Sequence, residues 1–341
     1  MERSHGDLED DVGRGGAADG VGATLKDGTR ILTRMPAATP DDRSLLRGEV
    51  LGAPRPRPPD GYQLSVGLLN LATATEALSI PAGVTNWTHF EGALMSVIVM
   101  ESVHSYRQVG TAVMLAPGLA VSAAHVLHDE LESGTNVRVL CAGPRSTGLD
   151  MWAVKTITNA VSDDIMYLSL EPASPFGDGW CLFRLPITTR QPDVGENLHV
   201  VGFRLHPDAS DRGDLTFSGN LFAAAGKVTG FYEEKRDSVM IPFPAIEIAC
   251  GSLGGMSGGA VIDEFGHLIG VTSAGLDTED GEGPTYAAWI VGALNRRLPL
   301  GWPQGIYGGT PIHLLDIDQK LLVVDDRSRV RIEGDELFYR N

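Results

Sequence analysis

The chain has 341 residues, of which 43% are hydrophobic and 21% charged, which is typical of a globular protein with one large or two modest cores. Its 44 acidic side chains outnumber the 27 basic ones, and a formal net charge of -17 argues against non-specific nucleic-acid binding because it repels phosphate. The three cysteines, Cys141, Cys181 and Cys250, have no zinc-ligand spacing and are odd in number, so we expect three buried, reduced thiols.

Residues 1 to about 60 differ in composition from the rest of the chain. The first 20 residues are polar and acidic and lack the apolar core of a signal peptide, and residues 53–60 are rich in proline. We expect a flexible arm that ends in a semi-rigid linker. No apolar run approaches the roughly 20 residues that cross a bilayer. A cytoplasmic location without membrane contact is therefore expected.

From residue 92 onwards, short apolar runs alternate with turn signals. One series of such runs lies between residues 94 and 170 and a second between residues 197 and 271. Many short strands at fairly regular spacing indicate an all-β barrel or sandwich, and two series indicate two barrels. We expect one domain over residues 61–300, with barrels at about 92–185 and 195–290.

Only two stretches have a helical pattern, residues 124–131 and 289–298, and the second is expected to form a short C-terminal helix that ends at Pro299. Residues 301–341 are expected to be a C-terminal extension. Within it, the apolar runs 320–324 and 329–332 predict a β-hairpin.

The sequence Gly-Met-Ser-Gly-Gly at residues 255–259 places Ser257 between glycines. Glycine allows a tight turn without a Cβ clash and leaves backbone N–H groups free to point into one small space. Such donors can bind the negative oxygen that develops on an attacked carbonyl. Alone, this motif is more often a structural turn.

A serine nucleophile needs a base, and the base needs an acidic partner that fixes its tautomer. His125 follows a predicted strand and two small residues, a position from which its side chain can reach a cleft. Asp164 directly precedes an alternating strand over residues 165–170. For its neighbour Asp163, a solvated turn position is the expectation.

Three blocks, Ser-Ala-Ala-His at 122–125, Asp-Ile-x-x-Leu-x-Leu at 164–170 and Gly-x-Ser-Gly-Gly at 255–259, together resemble the trypsin/chymotrypsin-like serine proteases of the PA clan. They are most similar to bacterial trypsin-like peptidases with an HtrA-type protease domain. The resemblance implies two six-stranded antiparallel β-barrels with the active site between them. It also implies His125 as general base, Asp164 as its orienting acid and Ser257 as nucleophile, with an oxyanion hole formed by the N–H groups of Gly255 and Ser257.

The same resemblance implies how substrate binds. Ser273, Ala274 and Gly275 would pair with the substrate backbone as an added strand. Gly251 would lie at the floor of the specificity pocket, where the absence of a carboxylate favours small or apolar residues over arginine and lysine. Digestive members of the family carry aspartate where this chain has Met256, so their zymogen switch is expected to be absent. The C-terminal extension does not resemble the PDZ domain of HtrA-type enzymes.

The leading prediction is therefore a serine endopeptidase that acts on proteins or peptides without metal or cofactor, and its oligomeric state stays open. One alternative is a catalytically silent protease-fold module that binds a peptide or partner. A second is an α/β-hydrolase-type esterase, but that fold places a helix after the serine and its acid and histidine later in the chain. A metal site at His125 and His128 lacks a third ligand at the usual spacing.

Overall fold

The structure is a computed structural model. It describes residues 90–340, apart from 103–104, 134–136, 146–147, 161–162, 175, 177–179, 205–219, 276–282, 310 and 334–335. It also describes the backbone of five short strands that precede residue 90. The arm and linker predicted for residues 1–60 otherwise lie outside the described residues.

The five strands before residue 90 were not predicted from the sequence. The third of them pairs with residues 156–160 and so extends the sheet of the first barrel. The five are β1 Val21–Thr24, β2 Arg30–Arg34, β3 Leu45–Glu49, β4 Ser65–Leu68 and β5 Gly83–Val84.

The first barrel is a closed, antiparallel, six-stranded sheet. Its strands are β6 Leu94–Ser102, β7 Ser105–Ala116, β8 Leu119–Ala123, β9 Arg138–Arg145, β10 Gly148–Ala160 and β11 Ile165–Pro172. The pairing order is β10, β11, β8, β7, β6 and β9, and the pairing of β9 with β10 closes the barrel. All five residues of β8 are buried, and four of them are apolar.

The second barrel has the same closed, antiparallel design. The connecting strands β12 Cys181–Arg184 and β13 Ile187–Thr188 lead into it, and its six strands are β14 Asn197–Arg204, β15 Asn220–Tyr232, β16 Ala245–Ile248, β17 Ala260–Ile262, β18 Leu268–Gly275 and β19 Thr285–Trp289. The order is β17, β14, β15, β16, β19 and β18, and β17 closes the barrel against β18. The predicted fold class is thereby confirmed.

The two helical predictions have different outcomes. A 3-10 turn at Ala124–Leu127 continues into the short α-helix α1, His128–Ser133. The predicted C-terminal helix over residues 289–298 is wrong in its extent, since only a 3-10 turn forms at Ile290–Ala293. The β-branched residues and Gly292 in this stretch are poor helix formers, and the chain then extends into a strand that pairs with the C-terminal extension.

The C-terminal extension packs against the barrels through short strands. The extension contains β21 Ile312–His313, β22 Val324–Asp325, β23 Val330–Glu333 and β24 Glu336–Tyr339, and β21 pairs with β20 Arg297–Leu298, which precedes the extension. The hairpin forms between β23 and β24, so the run at 320–324 is not its first arm as predicted. That run instead ends in β22, which adds to the second sheet as a parallel neighbour of β13.

The three cysteines are all unpaired, and Cys181 is partly exposed whereas Cys141 and Cys250 are buried. Burial raises the pKa of Cys141 to about 12 and that of Cys250 to about 11. Both thiols therefore stay protonated near neutral pH, which makes them unreactive core residues. Within the described residues, no helix has the length and apolar character needed to span a membrane.

Candidate active site

Strand pairing in the first barrel brings His125 and Asp164 together. His125 follows the end of β8, and Asp164 directly precedes β11, whose first residue, Ile165, pairs with Ala123. The N–H of Ala124 donates to the backbone oxygen of Asp164 at 3.0 Å, so the register is fixed beside the two side chains. The predicted base and its acid therefore meet because they flank paired ends of adjacent strands.

The Asp164 carboxylate holds the His125 ring through its Nδ1 atom. The two carboxylate oxygens lie 2.9 and 3.1 Å from Nδ1, and Oδ1 also accepts the backbone N–H of His125 at 3.0 Å. A carboxylate only accepts, so Nδ1 carries the proton and the neutral ring keeps its lone pair on Nε2. The carboxylate is buried and the ring is 46% exposed, which leaves Nε2 available at the cleft.

The electrostatic setting of His125 favours its protonated form. Burial alone would lower the pKa of this imidazole, but the hydrogen bond to Asp164 and the negative charge of that carboxylate raise it above its ordinary value.

Asp164 has φ 48°, a left-handed conformation that is uncommon for a residue with a side chain. Such local strain is frequent at functional sites.

Ser257 lies on the loop between β16 and β17 in the second barrel. The glycines around it are needed for close packing, because a Cβ on Gly258 would come within 2.0 Å of the Thr111 carbonyl oxygen. Gly255 and Gly258 also have positive φ values of 92° and 84°. The N–H of Gly258 donates to the backbone oxygen of Thr272 at 2.7 Å, which fixes the loop to β18.

Ser273 connects the serine to the carboxylate. The Ser257 hydroxyl donates to the backbone oxygen of Ser273 at 3.4 Å, and the Ser273 hydroxyl donates to Oδ2 of Asp164. Ser257 therefore lies in the same cleft as His125 and Asp164, but its Oγ makes no hydrogen bond to the His125 ring. Hydrogen bonds of this kind are often loose without substrate, and a change of the serine rotamer can redirect the hydroxyl.

The two predicted oxyanion donors have free N–H groups as far as the described chain shows. The N–H groups of Met256, Gly258 and Gly259 donate to backbone oxygens, whereas those of Gly255 and Ser257 donate to none of the described acceptors. Met256 itself is fully buried and contributes its side chain to the core.

The predicted substrate-binding residues lie at the end of β18 and in the loop before Ser257. Ala274 is partly exposed and Gly275 exposed, and the register of β18 shifts at Ser273, which turns this side chain towards Asp164. Gly251 is partly exposed, and a Cβ on Gly275 would lie 2.4 Å from the Ser252 hydroxyl. The chain thus brings Ser252, which follows Gly251, next to Gly275.

The expectation for Asp163 is wrong, because its side chain is buried rather than solvated. Its carboxylate accepts the N–H of Ile165 at 3.1 Å and forms an ion pair with the buried Arg296. No local pattern marks this pairing, since Arg296 lies 133 positions later. Adjacent aspartates therefore have different surroundings.

The structure also bears on two alternatives. The closed barrels and the strand β17 after Ser257 are incompatible with an α/β-hydrolase, which needs a helix there. His128 is exposed, and its Nε2 lies 3.3 Å from the Glu132 carboxylate. Among the described residues, no group of three or more His, Cys, Asp or Glu side chains could hold a metal ion.

The chain is similar to a known family of peptidases. The family model for the trypsin-like peptidase domain matches residues 110–271, a segment that runs from β7 to β18. The matched segment makes up slightly less than half of the chain.

Several solved structures are similar to the chain. The active form of the Rv3671c protease from M. tuberculosis has 17% identity and a TM-score of 0.43 over 72% of this chain and 93% of that chain. The HtrA-type protease AlgW with a decapeptide has 15% identity and a TM-score of 0.44 over 62% of this chain and 65% of that chain. Deg5 has 18% identity and a TM-score of 0.42, over 60% and 86% respectively. No curated protein sequence matches the chain.

Proposed function

We propose that this chain is a serine endopeptidase in which His125, Asp164 and Ser257 form a catalytic triad. The observation that carries the proposal is the Asp164 carboxylate, which accepts the Nδ1 proton of His125 and leaves Nε2 as the base. Ser257 is joined to the same carboxylate through Ser273, and the proposal requires a rotamer change that turns its hydroxyl from the Ser273 carbonyl to that base.

The proposed reaction has two halves. In the first, Ser257 Oγ attacks the peptide carbonyl while His125 Nε2 takes the hydroxyl proton, and the N–H groups of Gly255 and Ser257 bind the resulting oxyanion. The imidazolium then gives its proton to the leaving amine, the C–N bond breaks and an acyl-enzyme remains. In the second half, His125 deprotonates a water molecule that attacks the ester, and the proton returns to Ser257 as the acid product leaves.

Labelling with a fluorophosphonate tests this proposal. We expect the folded chain to form a phosphonyl ester on Ser257, because only a serine with an adjacent base is reactive enough for this reagent. Mass spectrometry of the digested adduct locates the modified serine. Heat-denatured chain serves as the control and should stay unlabelled, whereas equal labelling of both samples, or none of the folded chain, contradicts the proposal.

A second candidate function, a silent module that binds peptides without cutting them, is favoured by one observation. The Ser257 hydroxyl donates to the Ser273 carbonyl rather than to His125. If this arrangement persists with substrate, the serine lacks its base. The labelling experiment separates the two candidates, because a silent module that binds a peptide leaves Ser257 unmodified.

For the substrate, we propose proteins or peptides with a small or apolar residue before the cleaved bond. Gly251 offers no carboxylate to a basic side chain, and the close approach of Ser252 to Gly275 leaves no space for a side chain at position 275. Profiling cleavage in a peptide library should therefore show enrichment of alanine, valine or similar residues at that position. Strong selection for arginine or lysine would contradict this assignment.

We further propose that the chain acts in a reducing, cytoplasmic compartment. The support is the cysteine usage, since none of Cys141, Cys181 and Cys250 forms a disulfide.

A further inference from the structure

Thr111 joins the two barrels directly behind the proposed oxyanion hole. It lies on β7 of the first barrel, and its side chain is completely buried. Its N–H donates to the Ser257 carbonyl oxygen at 2.8 Å, and its own carbonyl oxygen accepts the Ser122 hydroxyl at 2.6 Å. The strand that carries Thr111 is therefore bonded to the nucleophile loop through the backbone.

The Thr111 hydroxyl makes two more hydrogen bonds, both to the second barrel. It donates to the carbonyl oxygen of Gly255 at 2.9 Å and accepts the N–H of Phe203, on β14, at 2.9 Å. The direction is fixed, because an amide can only donate and a carbonyl oxygen can only accept. The single hydroxyl proton must therefore point to Gly255.

We infer that Thr111 is a positioning residue for the oxyanion donors, an inference that rests on the function proposed above. It fixes the peptide planes that follow Gly255 and Ser257, and it thereby restricts the loop that carries the two N–H groups proposed to bind the oxyanion. Gly255 has φ 92°, so its neighbouring peptide planes have other accessible orientations in the absence of such a bond. Thr111 holds one of these orientations without touching the substrate.

The backbone around Thr111 is tightly packed. A Cβ on Gly258 would be 2.0 Å from the backbone carbonyl oxygen of Thr111, and a Cβ on Gly110 would be 2.9 Å from that of Ser257. The contact between the two barrels therefore has no room for a side chain at either glycine. Valine has the shape of threonine without the donor. It would leave the Gly255 carbonyl and the Phe203 N–H buried and unpaired, and both groups would move to find new partners.

Kinetics of the full-length chain with Thr111→Val and Thr111→Ser test the inference. We expect Thr111→Val to lower kcat for a fluorogenic peptide by about 10- to 100-fold with KM nearly unchanged, because a small misplacement of the donors weakens only transition-state binding. The affinity for a peptide boronate, which places an anionic oxygen at the oxyanion hole, should fall by a similar factor. Thr111→Ser keeps the hydroxyl and should stay within about threefold of wild type in both measurements.

Val113→Ala is the matched control, since Val113 is a fully buried residue on the same strand. It should lower the thermal midpoint but leave kcat per titrated active site unchanged. A purely structural role of Thr111 predicts that Thr111→Val behaves like this control, and that result overturns the inference, as does equal damage by valine and serine. If the valine variant does not fold, Thr111→Cys replaces it and should lie between serine and valine in kcat, because a thiol is a weak donor.

Failure of the inference and failure of the proposed function can be told apart. Absence of labelling and hydrolysis in the wild-type chain rejects the function itself. A fully active wild type together with an unimpaired Thr111→Val variant rejects only the role of Thr111.

Discussion

Replacement of Ser257 with alanine is expected to lower kcat by about a million-fold, the order found when the nucleophile of a serine protease is removed. Alanine cannot form the acyl-enzyme, so only the oxyanion donors and substrate binding would still act on the peptide bond. The Ser257 hydroxyl makes one long hydrogen bond, at 3.4 Å, so the thermal midpoint should hardly change. Hydrolysis of a fluorogenic peptide measures the first effect and thermal denaturation the second.

Ser238→Ala is a suitable control, because Ser238 is an exposed serine in the same barrel, in the connection between β15 and β16. This variant should keep wild-type activity. Equal cleavage rates of the Ser257→Ala and wild-type preparations would indicate a contaminating protease. If the rates stay equal after rigorous purification, Ser257 is not the nucleophile.

The parts of the fold that the sequence predicted are those governed by local patterns. Apolar runs broken by Pro117 and Gly118 specify short strands, and Gly118 does adopt the positive φ, 71°, that this turn requires. His125 and Asp164 could be found because each flanks a strand with a recognisable pattern, and the pairing of β8 with β11 brings them together.

Contacts between distant segments left no such local signal. Thr111 looks like an ordinary strand residue, and Ser273 was expected only to pair with the substrate through its backbone. Their hydroxyls nevertheless bond to Gly255 and Asp164, which lie 144 and 109 positions away. Asp163 could not be distinguished from a solvated turn residue because Arg296, its partner, belongs to the C-terminal part of the chain. The helical pattern at 289–298 failed for a related reason, since residues 297–298 pair with β21 from the C-terminal extension.

Asp164→Asn should lower kcat by about 10,000-fold while the chain stays folded. An asparagine amide can donate to Nδ1 of His125, which would move the ring proton to Nε2 and remove the base. Loss of the negative charge also removes what raises the His125 pKa above its ordinary value. In the wild type, kcat/KM should rise with pH as His125 loses its proton at this raised pKa. In the variant, this rise of the remaining activity with pH should shift to a lower pH range. Without the carboxylate charge, burial lowers the His125 pKa and nothing raises it.

Asp163→Asn makes the same chemical change one residue earlier and should have the opposite outcome. Asparagine can still accept the N–H of Ile165, but Arg296 loses the charge of its buried partner. Breaking a buried ion pair by removing one partner costs about 3–5 kcal/mol of unfolding free energy. Denaturant unfolding should show this loss, whereas kcat per titrated active site should stay within about threefold of wild type because the His125 base and its carboxylate are intact. Equal losses of kcat in both variants would mean that the carboxylates act as one unit, and the assignment of Asp164 alone as the orienting acid would then be wrong.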